Sequence, residues 1–286
     1  MEEGMEALVM DDMSVKGFKV GSGIVLDYSH ALLAIRELGK FHALSYAIRD
    51  QKPELLKEWI SKSADSFYNS TLKNIGMKAI MDVGRVVLES YESSENRTES
   101  EVLESFLSRL PQFFELPSIG KADKYSVINH GDFQMRNMLF KYGDSSQPHH
   151  PTALCMIDWQ LSRLASPALD ILFFLSVCSD KNLREHHYDN LIQEYHKSFS
   201  SFLKQLGSDP NVLLPFEVLL HHLKEYGGFG LCNAMWLIPM AAQECDFSKC
   251  TNEDALLKEF PTSPQQQYVP IIRDIITDFI KYGYQL

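Results

Sequence analysis

The strongest constraint on this chain is a polar loop held between two apolar runs. Val127-Ile128-Asn129 leads into His130-Gly131-Asp132, and Phe133-Gln134-Met135-Arg136-Asn137 leads into Met138-Leu139-Phe140. Short apolar runs bounded by turn residues read as strands. A further run from Ala153 ends at Asp158. Two carboxylates and an amide are thereby delivered to the ends of neighbouring strands, where a rigid scaffold can present them.

The rest of the chain reads differently. Glu6–Met10 is a short strand-like run, broken by Asp11-Asp12 and by Gly17, Gly21 and Gly23. From Ser29 to Arg49 apolar residues recur with helical period through Leu32, Ile35, Leu38 and Phe41, with Ser29 as N-cap. Thr71–Tyr91 and Glu99–Leu116 read as two more long helices, separated by the polar Ser93–Thr98 loop. Tyr125–Asn129, Met138–Tyr142 and Ala153–Asp158 read as strands, and the connector Gly143–Pro151 suits a hairpin. Ser166-Pro167 opens a helix, with Ser as N-cap and Pro in the first turn. The last helix, Gln266–Tyr282, carries an Ile271, Ile272, Ile275, Ile276, Phe279 stripe. The fold class predicted is α+β, mostly helical, with a small β insert bearing the polar loop.

Composition excludes some partners. The chain has 286 residues and a net charge of −11, so a nucleic acid or an anionic membrane is a poor match, since both demand clustered Lys and Arg. The five cysteines (Cys155, Cys178, Cys232, Cys245 and Cys250) form no CxxC pair, which fits a reduced, cytoplasmic compartment. The acidic start lacks a signal-peptide core, and the longest apolar stretches are too short to span a bilayer.

Asp132, Asn137 and Asp158 together match what phosphoryl transfer needs. One carboxylate orients the attacking hydroxyl, and an amide oxygen with a second carboxylate holds Mg²⁺. Taken singly, each residue suits an ordinary turn or strand end; the compound spacing carries the signal. His130 is expected to pack beneath the loop and bond backbone, and His42 to sit in the core. Asp170, early in the helix after Pro167, favours the helix dipole and can brace the loop by accepting its amides. A surface salt bridge is the expectation for Arg136 and Arg163. The His149-His150, His186-His187 and His221-His222 pairs lack metal-ligand spacing.

These motifs resemble one family. His130-Gly131-Asp132 with Asn137, then Ile157-Asp158-Trp159-Gln160-Leu161-Ser162-Arg163 and Ser166-Pro167-Ala168-Leu169-Asp170, look like the CHK kinase-like, or ecdysteroid kinase-like, family of insects and other arthropods. That family sits with choline kinases and aminoglycoside phosphotransferases. Leu8–Met13 resembles its hinge between lobes, and Gly39–Ser45 its first large-lobe helix. Gly131 stands where protein kinases carry Arg, Trp159-Gln160 replaces Phe-Gly, and little chain separates Asp158 from Asp170. These departures favour a small-molecule acceptor over a peptide.

The resemblance implies a protein-kinase-like large lobe over residues 29–286, with residues 1–28 as hinge and remnant of a small lobe that is otherwise absent. It implies ATP- and Mg²⁺-dependent phosphorylation of a hydroxyl on an ecdysteroid or similar lipophilic alcohol. Asp132 matches the catalytic residue, Asn137 and Asp158 the metal ligands, His130 and Asp170 the structural supports. Asp11 and Met13 fall where the hinge would meet adenine. No Lys precedes Lys16, so nothing N-terminal grips the phosphates, and this chain is expected to be inactive as written. A short isoform or a non-catalytic kinase-like binding protein is the alternative, and a metal-dependent hydrolase using Asp132, Asp158 and His130 is weaker. The acceptor pocket is expected in the helical C-terminal half, near Trp236 and the Tyr226–Gly230 turn.

Overall fold

The computed structural model describes residues 10–21, 25–62, 70–91, 97–115, 123–143, 150–242 and 266–286. The Glu6–Met10 run up to residue 9, the polar loop at 92–96, the hairpin connector at 144–149 and both Cys245 and Cys250 lie outside them. Among the described residues, five short strands are embedded in a body of helices, as the fold class predicted.

The described helices are α1 (Tyr28–Gln51), α2 (Pro53–Lys62), α3 (Ser70–Glu89), α4 (Arg97–Glu115), α5 (Ala168–Val177), α6 (Lys181–Gln205), α7 (Pro210–Leu213), α8 (Phe216–Glu225), α9 (Gly227–Ala242) and α10 (Val269–Lys281). The cap of α1 is Asp27, not Ser29: its carboxylate accepts the His30 N–H at 3.0 Å. A charged acceptor two residues earlier wins because it also meets the helix dipole. Helix α2 was not foreseen, although Pro53 occupies the first-turn position that proline favours.

Helices α1 and α6 form the spine. They approach closely at Gly39, where a Cβ would fall 2.6 Å from the Tyr195 carbonyl oxygen. Ala31, Ala34, Ile35 and Leu38 of α1 and Leu191, Ile192, Tyr195 and Phe199 of α6 are buried around that contact. Helix α5 is buried on every side from Ala168 to Ser176, as its unbroken apolar run requires. It packs against α9. The α10 stripe buries Ile272, Ile275, Ile276 and Phe279, each contributing roughly 1.5–3 kcal/mol. Ile271, which the stripe included, is exposed.

The strands are β1 (Phe18–Val20), β2 (Val127–Asn129), β3 (Met138–Tyr142), β4 (Pro151–Met156) and β5 (Arg163–Ala165). They form two sheets. In the first, β3 lies between β1 and β4, antiparallel to both, with Phe18 opposite Lys141 and Met138 opposite Met156. In the second, β2 and β5 pair antiparallel, with Asn129 opposite Arg163. The chain leaves β2 for β3 through residues 130–137 and returns from β4 to β5 through residues 157–162. Both connections pass between the same two sheets, and so they run side by side.

Candidate active site

The first connection is a sharp turn. Gly131 has φ +84°, and a Cβ there would fall 2.1 Å from the Leu161 carbonyl oxygen. Only glycine tolerates both the left-handed backbone and that approach. The residue that stands in place of Arg is therefore fixed by the packing of the two connections.

Asp170 holds the turn from below. Its two carboxylate oxygens accept the His130 N–H at 2.7 Å and the Gly131 N–H at 2.9 Å. His42 Nε2 donates to the same carboxylate at 3.1 Å, and the Tyr195 hydroxyl meets His42 Nδ1 at 2.7 Å. His42 and Asp170 are both buried. Burial alone would raise the Asp170 pKa. The His42 ring and the two amides outweigh it and hold the carboxyl below its ordinary value. The sequence placed His42 in the core; its bond to Asp170 spans α1 and α5, and no local pattern announces it.

His130 packs under the loop. Its Nε2 donates to the Ile157 carbonyl at 3.0 Å, and its Nδ1 accepts the Asp132 N–H at 3.3 Å. Both ring nitrogens are engaged by backbone, so the ring offers neither a base nor a metal ligand. The Trp159 ring lies 4.5 Å from His130 and 4.8 Å from Phe41, centroid to centroid, and its indole N–H donates to the Met156 carbonyl.

Asp132 stands above this support, half-buried. Gln134 donates to its Oδ1 at 2.7 Å, and Asn137 donates to its Oδ2 at 2.7 Å and to its backbone carbonyl at 3.0 Å. Each carboxylate oxygen keeps a second lone pair. Burial raises the Asp132 pKa above that of an ordinary Asp, and the Asn137 and Gln134 donors offset part of that rise. Gln134 was not foreseen; its only sequence signal is its place between Asp132 and Asn137.

Asn137 also ties the two connections together. Its backbone carbonyl accepts the Ile157 N–H at 3.0 Å, one residue before Asp158. Asp158 has φ 66° and is the sole non-glycine residue with positive φ among those described. Such a backbone costs about 1–3 kcal/mol and clusters at functional sites. Asn137 spends its amide nitrogen on Asp132, which leaves its Oδ1 and the Asp158 carboxylate as hard oxygen donors. That donor set fits Mg²⁺, which takes few protein ligands and keeps waters and phosphate oxygens. Among the described residues no three His, Cys, Asp or Glu converge on one point.

Other expected residues make contacts of their own. Asp11 is exposed and pairs with Lys16 at 2.5 Å, and Asp12 caps a short 3-10 turn, Met13–Lys16. Arg163 makes no surface salt bridge among the described residues; its guanidinium lies over the Phe229 ring instead. Ser166 Oγ accepts the Ala168 N–H at 3.2 Å, so it caps α5 from one residue further out than expected. It also bonds His222 Nδ1 at 2.9 Å. Trp236 lies against α3 at Gly76, while Phe229 is buried with Ala165, Leu169 and Phe173.

A mostly helical α+β body with His-Gly-Asp, then Asn, then Asp on adjacent inter-sheet connections defines the large-lobe class of kinase-like proteins. Residues 1–208 match the ecdysteroid kinase-like family, and the chain belongs to that family. Among solved structures, an ethanolamine kinase of Plasmodium vivax is similar at 14% identity with a TM-score of 0.38. That likeness covers 91% of this chain and 63% of the ethanolamine kinase chain. No curated protein matches. No described helix is long and apolar enough to cross a membrane.

Proposed function

We propose that the chain carries the acceptor-activating half of an ATP- and Mg²⁺-dependent phosphotransferase. It would act on a hydroxyl of a small lipophilic alcohol, an ecdysteroid or a molecule like it. Family membership supports the reaction class. The observation that carries the reading is the double hold of Asn137 on Asp132, at carboxylate and carbonyl, with Asn137 bonded in turn to the strand end bearing Asp158.

In this reading Asp132 accepts a hydrogen bond from the acceptor hydroxyl and aims its oxygen for in-line attack. Gln134 and Asn137 fix the carboxylate so that one orientation is presented. Asp158 and Asn137 would hold Mg²⁺, which when bound neutralises charge on phosphate oxygens. Asp170, with His42 behind it, keeps the turn from relaxing. Residues 29–286 form the large lobe and residues 1–28 the hinge side, with Asp11 and Met13 near adenine. No described lysine bonds Asp132, Asn137 or Asp158; the phosphate grip is a separate requirement.

The test is incubation with Mg²⁺-ATP and a panel of hydroxylated lipophilic alcohols that includes an ecdysteroid, read by mass spectrometry. A phosphorylated product is expected. A raised melting temperature with an alcohol but no product would favour a non-catalytic kinase-like binding protein. Neither product nor binding would overturn both readings.

A further inference from the structure

Tyr188 and Tyr282 stack face to face at 3.8 Å with their planes 9° apart. They line a cleft of about 380 Å³ between α6, α8 and the end of α10. Both hydroxyls are engaged: Tyr188 bonds the Tyr284 hydroxyl at 2.7 Å, and Tyr282 donates to the Arg184 carbonyl at 3.2 Å. The cleft is thus offered rings more than hydroxyls. Its volume falls in the roughly 300–1,000 Å³ range of small-molecule sites. No residue of the 130–137 or 157–162 connections lines it.

The walls are fixed to one another. Arg184 of α6, itself 1% exposed, donates from Nε to Asp278 of α10 at 2.7 Å. The Gln285 N–H donates to the Lys224 carbonyl at 2.8 Å and ties the chain after α10 to α8. This frame carries charges of both signs. Glu185 and Asp189 lie one turn apart on α6, and Lys224 and Lys281 stand in the last turns of α8 and α10. Among the described residues none of the four makes an ion pair. Helix dipoles account for each lysine singly. They do not account for opposite charges that share one cleft and do not meet. Burial raises the pKa of Tyr188, Tyr282 and Tyr284, and the charge of Asp189 adds to the rise in each, so Asp189 stands close to the aromatic wall. A carboxylate beside aromatic rings suits a cation, and two unpaired lysines suit an anion.

We propose that this cleft binds a small zwitterion with an apolar body, an α-amino acid, its ammonium at Asp189 against the tyrosine rings and its carboxylate at Lys224 and Lys281. Leu220 and the rings line the space for the apolar side chain. The cleft shares no residue with the loop bearing Asp132, so its occupancy is read without phosphate transfer.

Three probes divide the charges: phenylalanine, phenethylamine, which lacks the carboxylate, and phenylpropionate, which lacks the ammonium. Binding to the full chain is read by saturation-transfer NMR titration at millimolar concentration. Phenylalanine should bind about tenfold more tightly than either, as expected for one added hydrogen bond to a charged group. Lys281→Gln should weaken phenylalanine and phenylpropionate by about that factor and leave phenethylamine unchanged. Asp189→Asn should weaken phenylalanine and phenethylamine and leave phenylpropionate unchanged. Both residues are exposed, where substitutions cost the fold little; if Lys281→Gln fails to fold, Lys224→Gln carries the same comparison. A variant that weakens all three probes alike overturns the proposal, as does a wild-type chain that binds none of them. Phenylpropionate or phenethylamine bound as tightly as phenylalanine overturns it too.

Discussion

Asn137 grips Asp132 twice, through one side-chain amide that donates to the carboxylate at 2.7 Å and to the backbone carbonyl at 3.0 Å. Gln134 holds the other carboxylate oxygen. Burial raises the Asp132 pKa, and these donors pull it partly back. Only the ionised carboxylate can accept the acceptor proton, so transfer should fall as pH drops through the raised pKa. Gln134→Met removes a donor that favours the charged form, and the acid limb of the kcat profile should move to higher pH. A limb that stays in place would show that Gln134 does not tune Asp132.

Asp170 joins the core to the loop. Asp170→Asn replaces an accepting oxygen with an N–H group that faces other donors, and should cost about 3 kcal/mol or more in a buried site. The pH sign follows from its lowered pKa. The ionised form is favoured in the fold, so the stabilisation is present above the unfolded-state pKa near 3.8 and is lost as pH falls through the lower folded value. Urea unfolding between about pH 5 and pH 2 should therefore show a steeper acid loss for the wild type than for Asp170→Asn. Parallel curves would remove Asp170 from the account.

Gly131 has neither a permissive backbone nor free space for a side chain. Gly131→Ala must displace the Leu161 carbonyl and strain the turn, for a cost of roughly 2–5 kcal/mol. Calorimetry reads the change directly. A stability within 0.5 kcal/mol of wild type, itself about the scatter of ordinary surface substitutions, would mean that the two connections are not packed as described.

His222 bonds Ser166 at the start of α5 while Tyr125 and Tyr226 present ring edges to it. Burial lowers its pKa below the ordinary histidine value of 6.5. The neutral ring is favoured in the fold, so its contribution is full above about pH 6.5 and declines as pH falls below that toward the folded value. The facing charges are those of Asp123, Glu225 and His221. The melting temperature should drop between about pH 6.5 and 5, and His222→Gln should flatten that part of the curve. An identical slope in the variant would assign the acid sensitivity elsewhere.

Much of this arrangement was legible in the chain because it is local. The strand–loop–strand pattern around Asp132, the hairpin that returns to Asp158 and the helix after Pro167 all follow from short-range periodicity and turn chemistry. The expectation that Asp170 accepts loop amides was also available, because a carboxylate so close behind a polar loop has few other uses. What escaped depends on distant pairs. The His42–Asp170 bond joins residues 128 apart, and the Phe229 ring under Arg163 comes from α9. Asp27 and Ser29 are both good caps by residue type, and the helix dipole's preference for a charged acceptor puts the cap of α1 at Asp27. A salt bridge is the ordinary expectation for an arginine such as Arg163; here the guanidinium lies over the Phe229 ring instead.

The central claim is that Asp132 orients an acceptor hydroxyl for phosphate transfer. Single-turnover transfer from Mg²⁺-ATP to an acceptor identified in the panel, compared between wild type and a folded Asp132→Asn, tests it most directly. The account predicts a loss of roughly 10²-fold or more, the scale of a positioned acid–base group, with the melting temperature little changed. Turnover within about twofold of wild type would contradict it.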